Sequence, residues 1–485
     1  MSVPETLDDL PRRLARWAVN RSLAPASVSG ISLALAVCAA GWFSAGTRPD
    51  NVNGALALCA SYLAACAARW LAGPAPDAPA RSVGSAGSLA EWCGAVSEYA
   101  VYAGLAVGGY EEHWSDTWQL AVAVMIVLSV RRTAVACSRP ATEASGAGNS
   151  VGHAIRVFLS CPPGGRIALI TLAAPIWGAR ATLMFLLEWG IIATGFALTG
   201  HGPYRVVVAG SPEPVGPARL ADSPVLVETE EMPAELAAPA GGMDQAEEMP
   251  PELAAPTTDE PPLPEADSPE SAAALDLFVY AEPAPAAKVK PEAVADPRAL
   301  AVMAACRDDG TAAVWLGRVV RGELVPLPPA VAGLAATSLL AWLGMRNLPG
   351  LLLLTPVVVM LLAAFGSRHP HDGRLDWLTP AVLLAGQLVY FAAVGFSFRV
   401  PPPVTFTLCG LVALHYVELA GRGWPDAGQA PDTRLGWEGR IFVAGLGAMI
   451  GIAMIAYLAL AAYLVVLVCA KILTSRPAAP EGAWQ

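Results

Sequence analysis

Long apolar runs separated by short arginine-bearing stretches dominate the chain. They fall near residues 28–46, 53–72, 88–108, 116–131, 166–178 and 180–200, and again near 330–345, 349–365, 378–397, 403–420 and 441–474. A helix needs about 20 apolar residues to cross a hydrocarbon core ~30 Å thick, and most of these runs approach that length. The pattern predicts an all-α protein, a polytopic membrane helical bundle with about 10–12 transmembrane helices in two modules. The run 166–178 is short, so it is expected to cross obliquely or pack inside the bundle. The run 441–474 is too long for one upright helix and contains Gly445, Gly447 and Gly451, which favours two short helices.

Polar positions divide the chain further. Leu7, Leu10, Leu14 and Trp17 recur at helical spacing, with Arg12, Arg13, Arg16 and Arg21 elsewhere on the wheel, as in an interfacial amphipathic helix; no cleavable signal is read before the first span. Residues 201–297 are rich in Pro, Ala and Glu and repeat EEMPAELAAP as EEMPPELAAP, which predicts a disordered linker. The expected divisions are an interfacial helix (1–24), a six-helix membrane module (25–200), the linker (201–297), a second membrane module (298–476) and a tail (477–485). Arginines in the N-terminus and in the loops carrying Arg69, Arg81, Arg131, Arg132, Arg139, Arg156 and Arg166 place the N-terminus and linker in the cytoplasm.

Composition agrees with a membrane protein: 55% of residues are hydrophobic, 15% are charged, and mean hydropathy is +0.49. The formal charge of −11 reflects the acidic central tract and names no partner. Only Lys288, Lys290 and Lys471 are lysines, and the Ala, Pro and Gly richness suggests a GC-rich bacterial genome and a bacterial cell membrane. The nine cysteines stand singly and read as small apolar packing residues. Trp42, Trp70, Trp114 and Trp118 fall near the expected interfaces. No phosphate-binding loop, nucleophile elbow or dinucleotide fingerprint is present, and nothing suggests nucleic acid.

The two modules share local patterns. SLAPASVSGIS resembles PLPPAVAGLA, SEYAVYAGLAVG pairs Tyr99 with Tyr390 and Gly104 with Gly395, and Gly165-Arg166-Ile167 matches Gly439-Arg440-Ile441. An internal duplication and a chance likeness between apolar helices are both open readings, and so are a homodimer and an internal pseudo-dimer.

Residues 10–200 resemble the CDP-alcohol phosphatidyltransferases. The resemblance rests on the interfacial helix, Arg21 and Pro25 at the entry to the first span, the helix order and the PPGGR turn at 162–166. It implies a six-helix membrane enzyme that transfers a phosphatidyl-type group from a CDP-linked donor to an alcohol and releases CMP. The family signature is Asp-x-x-Asp-Gly-x-x-Ala-Arg followed by Gly-x-x-x-Asp-x-x-x-Asp. Its carboxylates hold Mg²⁺ or Mn²⁺ against the donor pyrophosphate, and the last one takes the proton of the attacking hydroxyl. In this chain the first half falls on Ser61, Ala64, Ala65, Ala68 and Arg69, and the second on Gly87, Glu91 and Ala95. Ala-Arg survives and all four aspartates are gone, so no cofactor is expected unless a residual transferase site holds Mg²⁺ or Mn²⁺. Glu98, two turns after Glu91, is a candidate substitute, either for a relocated metal or nucleotide site or as an acid paired with arginines.

Residues from about 296 to 476 resemble an uncharacterised bacterial membrane domain found fused to such transferases, with HPHDGRLDW and GWEGR as the recognisable pieces. SRHPHDGRLDW supplies Arg368, His369, His371, Asp372, Arg374 and Asp376. HYVELAGR adds His415, Glu418 and Arg422, and GWEGR adds Glu438 and Arg440. This cluster reads as a transition-metal site, a phosphate or head-group site, or an ion-pair network closing helix ends. Arg69, Arg166, Arg368, Arg374 and Arg440 are the head-group candidates. Three functions follow: a non-catalytic partner binding membrane lipid or CDP-linked lipid in phospholipid synthesis, a transferase using relocated acids and histidines, and a lipid transporter. The transporter is disfavoured because the polar residues gather at one face.

Overall fold

The computed structural model describes residues 6–71, 84–140, 161–202, 306–319, 325–346, 348–364, 375–421 and 435–474. The protein is an all-α helical bundle of the polytopic membrane kind. In the N-terminal half, α1 (Thr6–Asn20) precedes α2 (Pro25–Ser44), α3 (Arg48–Leu71), α4 (Gly84–Glu111), α5 (Thr117–Cys137) and α6 (Pro163–Gly200). The C-terminal half has α7 (Thr311–Val319), α8 (Leu327–Arg346), a 3₁₀ turn (Pro349–Leu353) leading into α9 (Thr355–Ala363), α10 (Thr379–Ser397), α11 (Pro402–Gly421), α12 (Trp437–Met449) and α13 (Ala453–Thr474). Among the described residues, eight helical segments are long and apolar enough to cross a membrane: α2, α3, α5, α6, α8, α10 with its lead-in turn, α11 and α13. The linker tract lies outside the described residues except for His201 and Gly202, whose backbone pairs antiparallel with Arg139 and Pro140.

The short run at 166–178 is the first part of α6. Gly178 breaks the helix with φ +81° and ψ 177°, a conformation that costs an L side chain strain and glycine little. The first part lies on the perimeter: Leu172, Ile176 and Trp177 are exposed, while Ile170, Ala173 and Ala174 are buried. The run 441–474 is two helices turning at Ile450–Ile452, of which α12 is short and α13 is full length.

Packing relies on small residues, because lipid tails offer helices no hydrophobic drive to associate and close backbone approach takes its place. α2 packs on both α3 and α4. Where α4 crosses α2, a Cβ on Gly108 would be driven into the carbonyl oxygen of Phe43. Gly108→Ala is therefore expected to lower stability by about 1–3 kcal/mol, read as a lower melting temperature in detergent; an unchanged melt would show that the helices can separate freely. α8 packs on α9 and α10 in the same way, and α11 on α13 as α5 on α6.

The halves meet where α5 packs on α10 and α11 and where α4 packs on α11. Trp118 meets Phe406 edge-on, with centroids 5.8 Å apart, and one hydrophobic core runs through both halves. Gly109 abuts the Thr117 side chain, and Gly395 abuts that of Thr405.

α1 docks on α3 through Ala15 and Ala18, which bury against Ala67 and Ala68. Leu14 and Trp17 stay exposed on α1, and Trp315 does so on α7, as suits helices lying in a membrane interface.

Candidate functional site

Charged side chains are buried at one end of the bundle, where α3, α5 and α11 finish and α4, α6 and α12 begin. In the N-terminal half Glu98 points from α4 at two arginines. Arg132 comes from the last turns of α5, and its Nη2 donates to Glu98 Oε2 at 2.6 Å. Arg166 comes from the first turn of α6, which the PPGGR turn starts with Pro163 as the first helical residue and the Arg166 amide donating to the Pro162 carbonyl. Its Nε donates to Glu98 Oε1 at 2.8 Å, its Nη2 lies 2.5 Å from the same oxygen, and its Nη1 donates to the Cys161 carbonyl at 3.1 Å. Tyr99 and Ser129 share a hydrogen bond of 2.8 Å beside them. A carboxylate already accepting from two guanidiniums has little capacity left to bind metal or act as a base. Arg132 Nη1 is buried with no hydrogen-bond partner among the described residues.

The remaining positions of the degraded signature do not join Glu98. Ser61 is buried, and its hydroxyl donates to the Ser32 carbonyl at 2.8 Å while the Ser32 hydroxyl donates back to the Ser61 carbonyl at 2.8 Å, stitching α3 to α2. Ala64 and Ala65 are half-buried, Ala68 and Ala95 are buried, and Gly87 lies in the first turn of α4. Arg69 is exposed and reaches back to Cys66 Sγ at 3.4 Å. Glu91 is exposed. It shares a helix face with Glu98 but stands ~10 Å further along the axis.

Arg368, His369, His371, Asp372, Arg374 and Arg422 lie outside the described residues. Asp376 is buried in the turn entering α10. His415, Glu418, Glu438 and Arg440 do converge, and the group that organises them was absent from the sequence reading: the run Arg307-Asp308-Asp309-Gly310 just before α7. Asp308 accepts from Arg440 Nη2 and lies 3.2 Å from His415 Nε2. Arg440 Nη2 also reaches Gln387 Oε1 at 3.4 Å, and His415 Nδ1 lies 3.9 Å from Glu418. Asp309 accepts from Arg307 Nε at 2.5 Å and from the Trp437 indole at 2.8 Å. The Glu438 carboxylate accepts from the amides of Gly310 and Ala313, both at 3.1 Å, and so caps the N-terminus of α7. Two adjacent acids directly before a helix were the available signal.

The two aspartates are pushed in opposite directions. Burial pushes the Asp309 carboxyl up to about 6, against the pull of Arg307 and Trp437 and with Glu438 adding to the rise. Burial also opposes the ionisation of Asp308, but Arg440 and His415 outweigh it and hold that carboxyl well below the usual carboxylate range. An acid whose folded pKa lies above its unfolded ~3.9 contributes stability that is present below pH ~4 and lost as pH rises through its folded pKa. For Asp309 that loss runs from pH ~4 up to the folded value of about 6. Asp308 does the reverse: its contribution is present above pH ~4 and lost in strong acid. Asp309→Asn is expected to remove roughly 2–3 kcal/mol of pH dependence between pH ~4 and ~7. Melting temperatures across that range check it, and a profile parallel to the unsubstituted protein's would count against it.

Compared with protein-family models, curated proteins and solved structures, the chain matches none of them.

Proposed function

We propose that this chain is an integral membrane protein related to the CDP-alcohol phosphatidyltransferases that serves as a non-catalytic lipid- or head-group-binding partner in phospholipid synthesis. It would sit in a bacterial cell membrane with its N-terminus and linker in the cytoplasm. The observation that carries the reading is the Glu98 cluster, in which the buried Arg166 and the half-buried Arg132 share one carboxylate and the Arg132 Nη1 donor stays unused among the described residues. Net positive charge beside the membrane, with guanidinium donors to spare, suits the phosphate of a lipid head group. The non-catalytic part rests on the signature positions: Ser61 is occupied by Ser32, alanines stand at 64, 65, 68 and 95, and Glu91 and Glu98 are apart.

Arg132 is the residue to test, because it is about one-third exposed while Arg166 is buried and fixes α6. Arg132→Gln is expected to retain about tenfold less phosphatidylglycerol in native mass spectrometry, a loss of ~1.4 kcal/mol in binding. Phosphatidylcholine at equal loading reports non-specific retention. Unchanged phosphatidylglycerol retention would count against the reading.

A further inference from the structure

The second part of α6, after the Gly178 break, runs antiparallel to α5 over the full height of that span. At one end Arg180 pairs with Asp116, the N-cap residue of α5, at 2.9 Å. At the other, His201 and Gly202 pair with Arg139 and Pro140 just beyond the end of α5. Between these ends, a Cβ on Gly190 would lie 3.2 Å from Val127, at the middle of α5. Glu188 therefore stands at mid-height, ~12 Å along the helix from Arg180 and ~20 Å from His201. It is exposed, and no hydrogen bond or ion pair reaches its carboxyl among the described residues. Its neighbours on that face are Met184, Phe185, Ile191, Ile192 and Leu198, all exposed. A carboxyl there meets acyl chains, which offer neither a hydrogen-bond donor nor a counter-charge. Ionisable groups within a span ordinarily face the bundle interior and pair there, as Glu98 does with Arg132 and Arg166. Glu188 faces outward instead, where its partner has to come from another membrane helix. Gly195, two turns further along the same face, has nothing within 4 Å of where its Cβ would be. A second backbone can approach closely at that point.

We propose that the outward face of α6 around Glu188 docks a membrane-spanning helix of another protein, one that carries an arginine or lysine at mid-height. Charge selects this occupant. A second copy of this chain docked through the same face would set carboxyl against carboxyl. Nor does a copy offer the cation from another face. On the described spans the arginines and Lys471 stand near helix ends, and Arg180 at the Gly178 break is taken by Asp116. A basic residue at the depth of Glu188 would meet it away from water, where opposite charges attract strongly and neither is left bare in lipid. The apolar residues on either side of Glu188 would pack against the same helix, and Gly195 would admit its backbone.

The test reconstitutes the full chain, labelled at its C-terminus with an acceptor dye, in phosphatidylcholine vesicles. Donor-labelled synthetic peptides of leucine and alanine, about 23 residues long so as to span the bilayer, serve as the probe. Their central residue is arginine, leucine, glutamine or glutamate. Energy transfer is expected to show the arginine peptide associating about tenfold more tightly than the other three. That advantage should vanish in Glu188→Gln, and Glu188→Lys should favour the glutamate peptide instead. Equal association of the arginine and leucine peptides would overturn the proposal, and so would a glutamine peptide that binds as well as the arginine one. An arginine advantage that survives in Glu188→Gln would place the contact elsewhere and also overturn it. Energy transfer between two differently labelled copies of the chain that depends on Glu188 would do the same, in favour of a second copy. The peptide comparison on the unsubstituted protein needs no variant, so a poorly folding substitution leaves the test intact.

Discussion

Asp308→Ala is expected to destabilise the protein by about 3–5 kcal/mol, the usual cost of removing one partner from a buried ion pair. The size comes from what the substitution leaves behind. Arg440 is 1% exposed and His415 2% exposed. Without the carboxylate the Arg440 guanidinium would stand out of water beside the His415 ring, with Gln387 the remaining acceptor near Arg440 Nη2 at 3.4 Å among the described residues. Asp308→Asn keeps an acceptor and should cost less. Asp308→Ala combined with Arg440→Met should recover much of the loss, because removing both charges also removes their desolvation cost. Unfolding midpoints in detergent for the two single variants and the pair complete the cycle. Simple addition of the single effects would mean that the two residues are not coupled.

Glu98→Ala should have a similar effect, about 3–5 kcal/mol, in the cluster of the N-terminal half. Arg166 and Arg132 would then stand close together without their shared carboxylate, and the first turn of α6 would lose its tie to α4. Arg132 is partly exposed and can turn towards solvent, so the loss falls mainly on Arg166, whose other contact is the Cys161 carbonyl. Limited proteolysis near residues 161–170 should therefore speed up in Glu98→Ala. A variant as stable as the unsubstituted protein would show that the guanidiniums are satisfied by water or lipid.

Much of the architecture could be read from hydrophobic spacing. The helices follow the apolar runs, the interruption near 178 is a real break at Gly178, and the last run is two helices. The length of a run carries this information because both the bilayer and the helix rise are fixed. The charged sites were less legible. Arg166 and Arg440 could be singled out because an arginine at a membrane helix end needs a partner, but the partner's identity depends on packing between helices. Arg166 takes Glu98 from α4, whereas Arg440 takes Asp308 from a segment over a hundred positions earlier. No periodicity links residues that distant in the chain. The same holds for Ser61, which looked like a failed metal ligand and is a hydrogen-bonded contact between α3 and α2. Cys137 and Cys306, read as small apolar packing residues, are free cysteines buried in one hydrophobic cluster.

The proposed function is lipid binding on a transferase-like scaffold without the transferase's metal chemistry. It is tested most directly by the thermal stability of the purified protein with CDP-diacylglycerol and Mn²⁺, separately and together. A ligand at 100 times its dissociation constant stabilises the native state by about 2.7 kcal/mol. The expected result is a shift with lipid alone, unchanged by Mn²⁺ and reduced in Arg132→Gln. A shift that requires lipid and Mn²⁺ together and disappears in Glu91→Ala would contradict the claim and point to a working metal site, and no shift with lipid would contradict head-group binding.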